Sequence, residues 1–131
     1  YAENFGPERS RWLHPQRTMK EMGIIAGGNS DCPVTYYSPF VQIYEAVTRR
    51  TSSGRVVSPE ECISVMDAIR VYTWNGAYLG KDEEKLGSIE PGKLADIIIL
   101  DRDILTIPKD EIKDVQVVMT IVDGKIVYEK D

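Results

Sequence analysis

Up to Leu79 the apolar residues recur mostly at helical spacing, whereas beyond Gly80 they gather in β-branched runs separated by turn formers. The stretch from Glu8 to Arg17 is polar and basic. Pro15 suits the first position of a short helix running to Met22, which Gly23 can end in a left-handed cap. Ile24, Ile25 and Ala26 then form a continuous apolar run flanked by glycine, the pattern of a strand buried on both faces in a parallel sheet. Gly27-Gly28-Asn29-Ser30-Asp31-Cys32-Pro33 breaks that run with turn formers. Ser38 as N-cap and Pro39 at the first helical position open a helix whose apolar stripe is Val41, Tyr44, Val47 and Thr48. Together these residues predict one helix-strand-loop-helix unit.

Thr51-Ser52-Ser53-Gly54 reads as a flexible connection. Two capping signals follow, Ser58-Pro59-Glu60-Glu61 and Ser64-Val65-Met66-Asp67, each with the acid three positions on that a capping box needs. They predict a short helical turn after Ser58 and a longer helix after Ser64 with Val65, Met66, Ile69 and Tyr72 on one face. Thr73-Trp74-Asn75-Gly76 is a candidate break before Ala77-Tyr78-Leu79. Beyond the turn-rich Gly87 to Lys93, the run Asp96-Ile97-Ile98-Ile99-Leu100-Asp101 reads as a buried strand bounded by acids. Val115 to Val122 is a second strand and Lys125 to Glu129 its return, joined by Asp123-Gly124 in a hairpin turn that needs positive φ. The fold class is α/β plus β, with no internal repeat and no low-complexity tract.

Composition narrows the reading. The chain has 131 residues, 42% hydrophobic and 28% charged, as in an ordinary globular domain. A complete eight-stranded α/β barrel takes roughly 250 residues, so barrel motifs here belong to part of one. The net charge of −5 disfavours a nucleic-acid partner, and the Arg49-Arg50 pair is too short to reverse that. No stretch has the apolar length of a membrane helix, and Tyr1 to Arg11 lacks the order of a signal peptide. The expectation is a cytoplasmic protein without a membrane partner. Because the chain starts on Tyr1 rather than Met, it is expected to begin inside something longer or after processing. Two cysteines and one histidine fall short of a zinc set, so Cys32 and Cys62 read as buried free thiols.

Asp31 is the candidate catalytic residue. It lies just past the end of the predicted buried strand, where α/β barrels place their chemistry, among glycines that let the backbone approach a substrate or metal. A carboxylate there can bind a divalent metal, or take a proton from water and return it to a leaving group. The competing reading is a loop carboxylate bonding its own turn amides. His14, the single imidazole, reads as a surface or helix-start residue. Cys32 could be a nucleophile only if His14 reached it, and a structural thiol is the simpler reading. Asp82-Glu83-Glu84 reads as a solvated loop. The glycines near Gly23 and Gly27 lack the Gly-Lys-Ser/Thr ending of a phosphate loop.

The string Gly87-Ser88-Ile89-Glu90-Pro91-Gly92-Lys93-Leu94-Ala95-Asp96-Ile97-Ile98-Ile99-Leu100-Asp101 resembles the hallmark of the amidohydrolase superfamily, where the chain leaves a metal-dependent barrel for a small β-sandwich. Thr120 to Tyr128 resembles that sandwich's last hairpin. Asn29-Ser30-Asp31-Cys32-Pro33-Val34, Ala46 to Arg50 and Ala68 to Thr73 narrow the resemblance to amidohydrolase family 3, the YtcJ-like hydrolases, over Gly6 to Tyr128.

The resemblance implies that residues 1–79 are the C-terminal portion of a TIM barrel, its last helix-strand-helix, followed by helices. Residues 80–131 would be part of the composite β-sandwich domain. It implies a hydrolase acting on a carbon–nitrogen, amide-type bond of a small molecule through metal-activated water, with zinc as the expected divalent metal. Asp31 takes the place of the Asp that ends the eighth barrel strand, at the metal centre, and shuttles the proton to the departing nitrogen. Asn29 and Ser30 shape the backbone beside it. The histidine ligands of the family have no match here, so the isolated chain is expected to be inactive. The alternative is a non-catalytic module that pairs through exposed strand edges, with a second copy or with the missing N-terminal part.

Overall fold

The computed structural model describes residues 2–131; Tyr1, on which the expectation of an internal or processed start rests, lies outside the described residues. Helix α1 (Ala2–Ser10) is interrupted at Gly6, whose backbone is non-helical. It precedes α2 (Gln16–Glu21). No apolar periodicity marks α1, so the sequence did not predict it. The end of α2 follows the expected chemistry. Gly23 is left-handed at φ 73, its N–H donates to the Lys20 carbonyl, and the Ile24 N–H donates to that of Met19.

Ile24–Ala26 departs from expectation. The run is not a strand, and Ile24 is 50% exposed. Among the described residues no strand lies beside it to complete a ladder, and an apolar run becomes a strand only when its backbone groups find such partners. Helices supply some of them instead. The Gly28 N–H donates to the Val71 carbonyl at 3.2 Å, and Asn75 Nδ2 donates to the Ala26 carbonyl at 2.8 Å. Gly27 and Gly28 serve this docking. A methyl group at Gly27 would lie 2.9 Å from Leu79 Cδ1, and one at Gly28 would enter the Tyr72 ring. The close approach these glycines permit is therefore to helices.

Helix α3 (Pro39–Thr48) starts where Ser38 and Pro39 predict, although the Ser38 hydroxyl makes no capping bond. Its buried face is Phe40, Ile43, Tyr44, Ala46 and Val47; Val41 and Thr48, placed on the stripe by the sequence, are only half-buried. Arg49 ends the helix in a left-handed conformation, its N–H donating to the Glu45 carbonyl. A single 3-10 turn, Pro59–Glu61, follows a left-handed Ser58 that does not cap it.

Helix α4 (Val65–Tyr72) is capped as expected, the Ser64 hydroxyl accepting from the Asp67 N–H. Its most buried residue is Ala68, while Met66 faces solvent. The chain breaks at Thr73 and restarts as α5 (Trp74–Gly80). No helix among the described residues is long and apolar enough to cross a membrane.

The remainder forms an antiparallel three-stranded sheet in the order β1 (Ile97–Leu100), β2 (Val117–Val122), β3 (Lys125–Glu129). Asp123 and Gly124 both adopt the positive φ expected of the hairpin turn. Two expectations change. Val115 belongs to the end of a 3-10 segment, Lys109–Asp114, and is buried as its cap. The β1 strand sits at a sheet edge with Ile98 and Ile99 exposed rather than buried, since three strands cannot cover their own faces.

The two family-like strings meet physically. Asp96 Oδ1 accepts from the Asp123 N–H at 2.8 Å, and the Gly124 N–H donates to the Ala95 carbonyl. Within the first string Lys93 Nζ donates to the Ser88 hydroxyl, which donates to Glu90.

One core joins these parts. Ile104, Ile112 and Val115 pack with the buried face of α3 and with Ile63 and Ala68.

Replacing Gly28 with Ala is expected to lower stability by about 1–3 kcal/mol, the usual cost of overpacking. Adding Tyr72→Ala should make the two losses less than additive, measured by chemical denaturation of both single variants and the double.

Candidate active site

Asp31 is fixed by its neighbours before its own side chain acts. Its backbone is left-handed, φ 50, a region that Asp tolerates better than most residues. Its N–H donates to Asn29 Oδ1 at 2.8 Å, a side-chain turn that makes Asn29 the shaping residue the sequence suggested. The Ser30 hydroxyl accepts from the Cys32 N–H. Next comes a cis Cys32–Pro33 peptide, and the Val34 N–H donates to the Asp31 carbonyl at 2.7 Å. The Asp31 carboxylate is exposed and accepts from Asn29 Nδ2 at 3.0 Å. The turn is thus held by Asn29, Ser30 and backbone groups.

The other singled-out residues do not join it. Cys32 is exposed and Cys62 half-buried, both free. Neither is the buried thiol expected, because Cys32 lies in a polar turn and Cys62 directly follows a 3-10 turn whose Pro59 and Glu60 face solvent. His14 is exposed, and Arg49 and Gln16 both donate to its backbone carbonyl. Burial raises the nearby Glu45 carboxyl above its ordinary range, with the His14 and Arg49 charges only partly opposing it. The acidic run is only partly solvated: Asp82 and Glu83 are half-buried, with Glu83 Oε2 buried and unpartnered.

Two polar clamps that the sequence did not flag hold this half of the molecule. Arg49, from the end of α3, donates to the carbonyls of Leu13, His14 and Val57. Buried Glu61 accepts from the Thr18 N–H and hydroxyl. Burial opposes the charge on Glu61, but the Thr18 bonds, the Arg17 backbone N–H and the Arg49 charge together outweigh it and hold the carboxyl below its ordinary range. The only signal for Arg49 was its place after the helix, where a cation suits the C-terminus.

A cleft of about 400 Å³ opens between α2, the 24–27 segment and α4, lined by Met19, Ile24, Ile63, Val71 and Trp74 with Gln16 beside them. Gln16 Oε1 is buried without a partner. Asp31 does not line this cleft. At its rim Lys20 Nζ and Asp67 Oδ2 are 2.6 Å apart. Beneath Gly28, burial pushes the Tyr72 phenol up to about 12, with the Glu45 charge adding to it. Tyr72 is therefore a neutral support for the glycine segment at ordinary pH.

Among the described residues no three His, Cys, Asp or Glu side chains converge to hold a metal ion. Asp31 alone does not make a catalytic metal site, which takes about three protein ligands. These residues do not fit a complete site for zinc or another divalent metal.

The helical layer and the small antiparallel sheet that follows it superpose on parts of solved metal-dependent hydrolases. One from Pyrococcus horikoshii superposes with a TM-score of 0.69 at 28% identity, over 80% of this chain and 22% of that one. The chain belongs to the amidohydrolase family, whose model matches residues 1–128. An N-substituted formamide deformylase from Arthrobacter pascens is 37% identical over 118 residues, 90% of this chain and 22% of that protein. YtcJ of Bacillus subtilis, which carries an amidohydrolase name, is 30% identical over 131 residues, 98% of this chain and 25% of the other. The chain thus spans about a quarter of the length of these relatives.

Lys20 first, and then the Ser64 hydroxyl, hold the Asp67 carboxyl below its ordinary value of 3.8. A carboxyl depressed in the folded state adds stability above its unfolded pKa and loses it as pH falls through the folded one. Melting curves should therefore show Asp67→Asn less stable than wild type at pH 7, with the difference closing well below pH 3.8. A gap that persists in acid would show that the ionised carboxylate is not the source.

Proposed function

We propose that this chain is the C-terminal portion of a metal-dependent hydrolase that splits a carbon–nitrogen, amide-type bond of a small molecule, with Asp31 as the proton shuttle. Residues 1–79 would close the barrel and residues 80–131 would contribute to the adjoining β-sandwich. The observation that carries this reading is the state of Asp31. Its backbone N–H is taken by Asn29 Oδ1, and its exposed carboxylate accepts from Asn29 Nδ2. The carboxylate keeps acceptor capacity facing solvent beyond that one bond within the turn. Family membership and the name of the Arthrobacter pascens relative support the bond type.

In the proposed reaction water adds to the amide carbonyl carbon as Asp31 accepts one of its protons. That proton passes to the nitrogen, the carbon–nitrogen bond breaks, and an acid and an amine leave with Asp31 ionised again. The family's metal, zinc in our reading, needs ligands beyond those described in this chain, and no step is drawn through it. The isolated chain would not turn over. Two free thiols suit a reducing compartment, and the cytoplasm is the proposed location.

Asp31→Asn in the complete polypeptide should reduce kcat by about 10²–10⁴-fold, the range for general acid–base groups, with an unchanged melting temperature. Turnover within a factor of a few of wild type would reject the shuttle role.

A second reading is favoured by the sheet. Ile126, Val127 and Tyr128 of β3 are all exposed on a strand with one unpaired edge, which fits a module that pairs with a second copy or with the rest of its own polypeptide. Light scattering of the chain at rising concentration should then show a dimer. A clean monomer throughout would reject self-pairing.

A further inference from the structure

The peptide that joins Ser30 to Asp31 is held at both of its polar ends. Its N–H, that of Asp31, donates to Asn29 Oδ1 at 2.8 Å. Its carbonyl, that of Ser30, accepts from the Thr35 N–H at 3.3 Å and from the Thr35 hydroxyl. A peptide group is planar, so pinning its N–H and its C=O fixes the plane from which the Asp31 Cα and carboxylate project. Asp31 is left-handed at φ 50, a conformation that a residue other than glycine keeps only where its surroundings impose it.

This hold is anchored in the helical layer. Gln42, on the buried side of α3, donates through Nε2 to Thr35 Oγ1 at 3.4 Å and to the Tyr36 carbonyl at 2.6 Å. The Thr35 hydroxyl gives its proton to the Ser30 carbonyl, which leaves its oxygen free to accept from Gln42. The bonds therefore run in one direction, from Gln42 through Thr35 to Ser30. The other half of the Gln42 amide is unsatisfied, since Oε1 is buried and has no partner among the described residues. A buried acceptor left unpaired costs stability, and an apolar side chain of the same length would avoid that cost. What glutamine adds at this position is its grip on the loop.

We propose that Gln42 is a positioning residue for Asp31, holding the carboxylate through Thr35 and the Ser30–Asp31 peptide in the orientation that proton transfer requires. The inference rests on Asp31 as proton shuttle. A shuttle must stay within hydrogen-bond reach of both water and the departing nitrogen, and a displacement of about 1 Å costs about 100-fold in rate.

Gln42→Met keeps the length and packing of the side chain and removes the amide. Thr35 and Tyr36 are exposed, so water takes over the lost bonds and the melting temperature should not fall. In the complete polypeptide, with p-nitroacetanilide as probe, Gln42→Met should lower kcat by about 10–100-fold and leave KM within about twofold. Thr35→Val should act the same way, while Thr35→Ser, which keeps the hydroxyl, should retain wild-type turnover. In the Asp31→Asn background Gln42→Met should cause no further loss, because it acts only through that carboxylate. An equal second loss there, or an unchanged kcat in the single variant, would overturn the proposal.

Hydrogen exchange followed by mass spectrometry gives a readout that needs no turnover. Gln42→Met should speed exchange across residues 31–36 by about 3–10-fold, the worth of a hydrogen bond, and leave α3 as in wild type. Equally faster exchange throughout α3 would make Gln42 a stability residue alone, and unchanged exchange in the turn would refute the hold. Full turnover by Asp31→Asn would remove the shuttle reading and this role with it. A failed Gln42 test beside an impaired Asp31→Asn leaves that reading intact, so the two failures are distinct.

Discussion

The apolar stripe of α3 has to be covered, and segments from far along the chain do it. Phe40, Ile43, Tyr44, Ala46 and Val47 cannot face water together, and Ile63, Ala68, Ile104, Ile112 and Val115 close over them. A fully buried aliphatic side chain is worth about 1.5–3 kcal/mol. The exposed ion pairs, such as Arg17 with Glu21, each contribute about 0–1 kcal/mol. The core therefore decides the arrangement, and the polar clamps refine it. Arg49 exploits its position at the end of this helix to fix Leu13, His14 and Val57, and Gln42 on the same helix fixes the loop after Asp31.

Elements defined by local chemistry were legible in the sequence. The Gly23 stop, the Ser38-Pro39 and Ser64 starts and the Asp123-Gly124 turn each depend on residues within one or two turns of chain. What failed was inference from apolarity to burial. Ile24–Ala26 and Ile97–Leu100 are apolar enough for the inside of a sheet, yet strand and burial are properties of neighbours as well as of sequence. Helix α1 carries no periodic stripe, and Cys32 sits in a turn where its polar neighbours outweigh its own preference for the interior.

The candidate site was legible only in part. Asp31 stood out because a turn-former run follows an apolar block, and the family resemblance gave it a role. Asn29 shapes the turn from both sides, accepting the Asp31 N–H and donating to the Asp31 carboxylate. Gln42 gave no signal, since a polar residue within an amphipathic helix usually marks the solvent face. Gly27 and Gly28 were understood as room for a ligand, whereas the Tyr72 ring and Leu79 occupy that room.

The bond from Asp96 to the Asp123 amide, between residues 27 apart in sequence, makes a single fastener of the two strings. Those strings were the most recognisable feature of the chain, and neither contains Asp31. A sequence can therefore announce its ancestry through the way its last hairpin is pinned while saying nothing of whether its chemistry survives. Descendants that lost the reaction would keep this signature as long as they kept the hairpin.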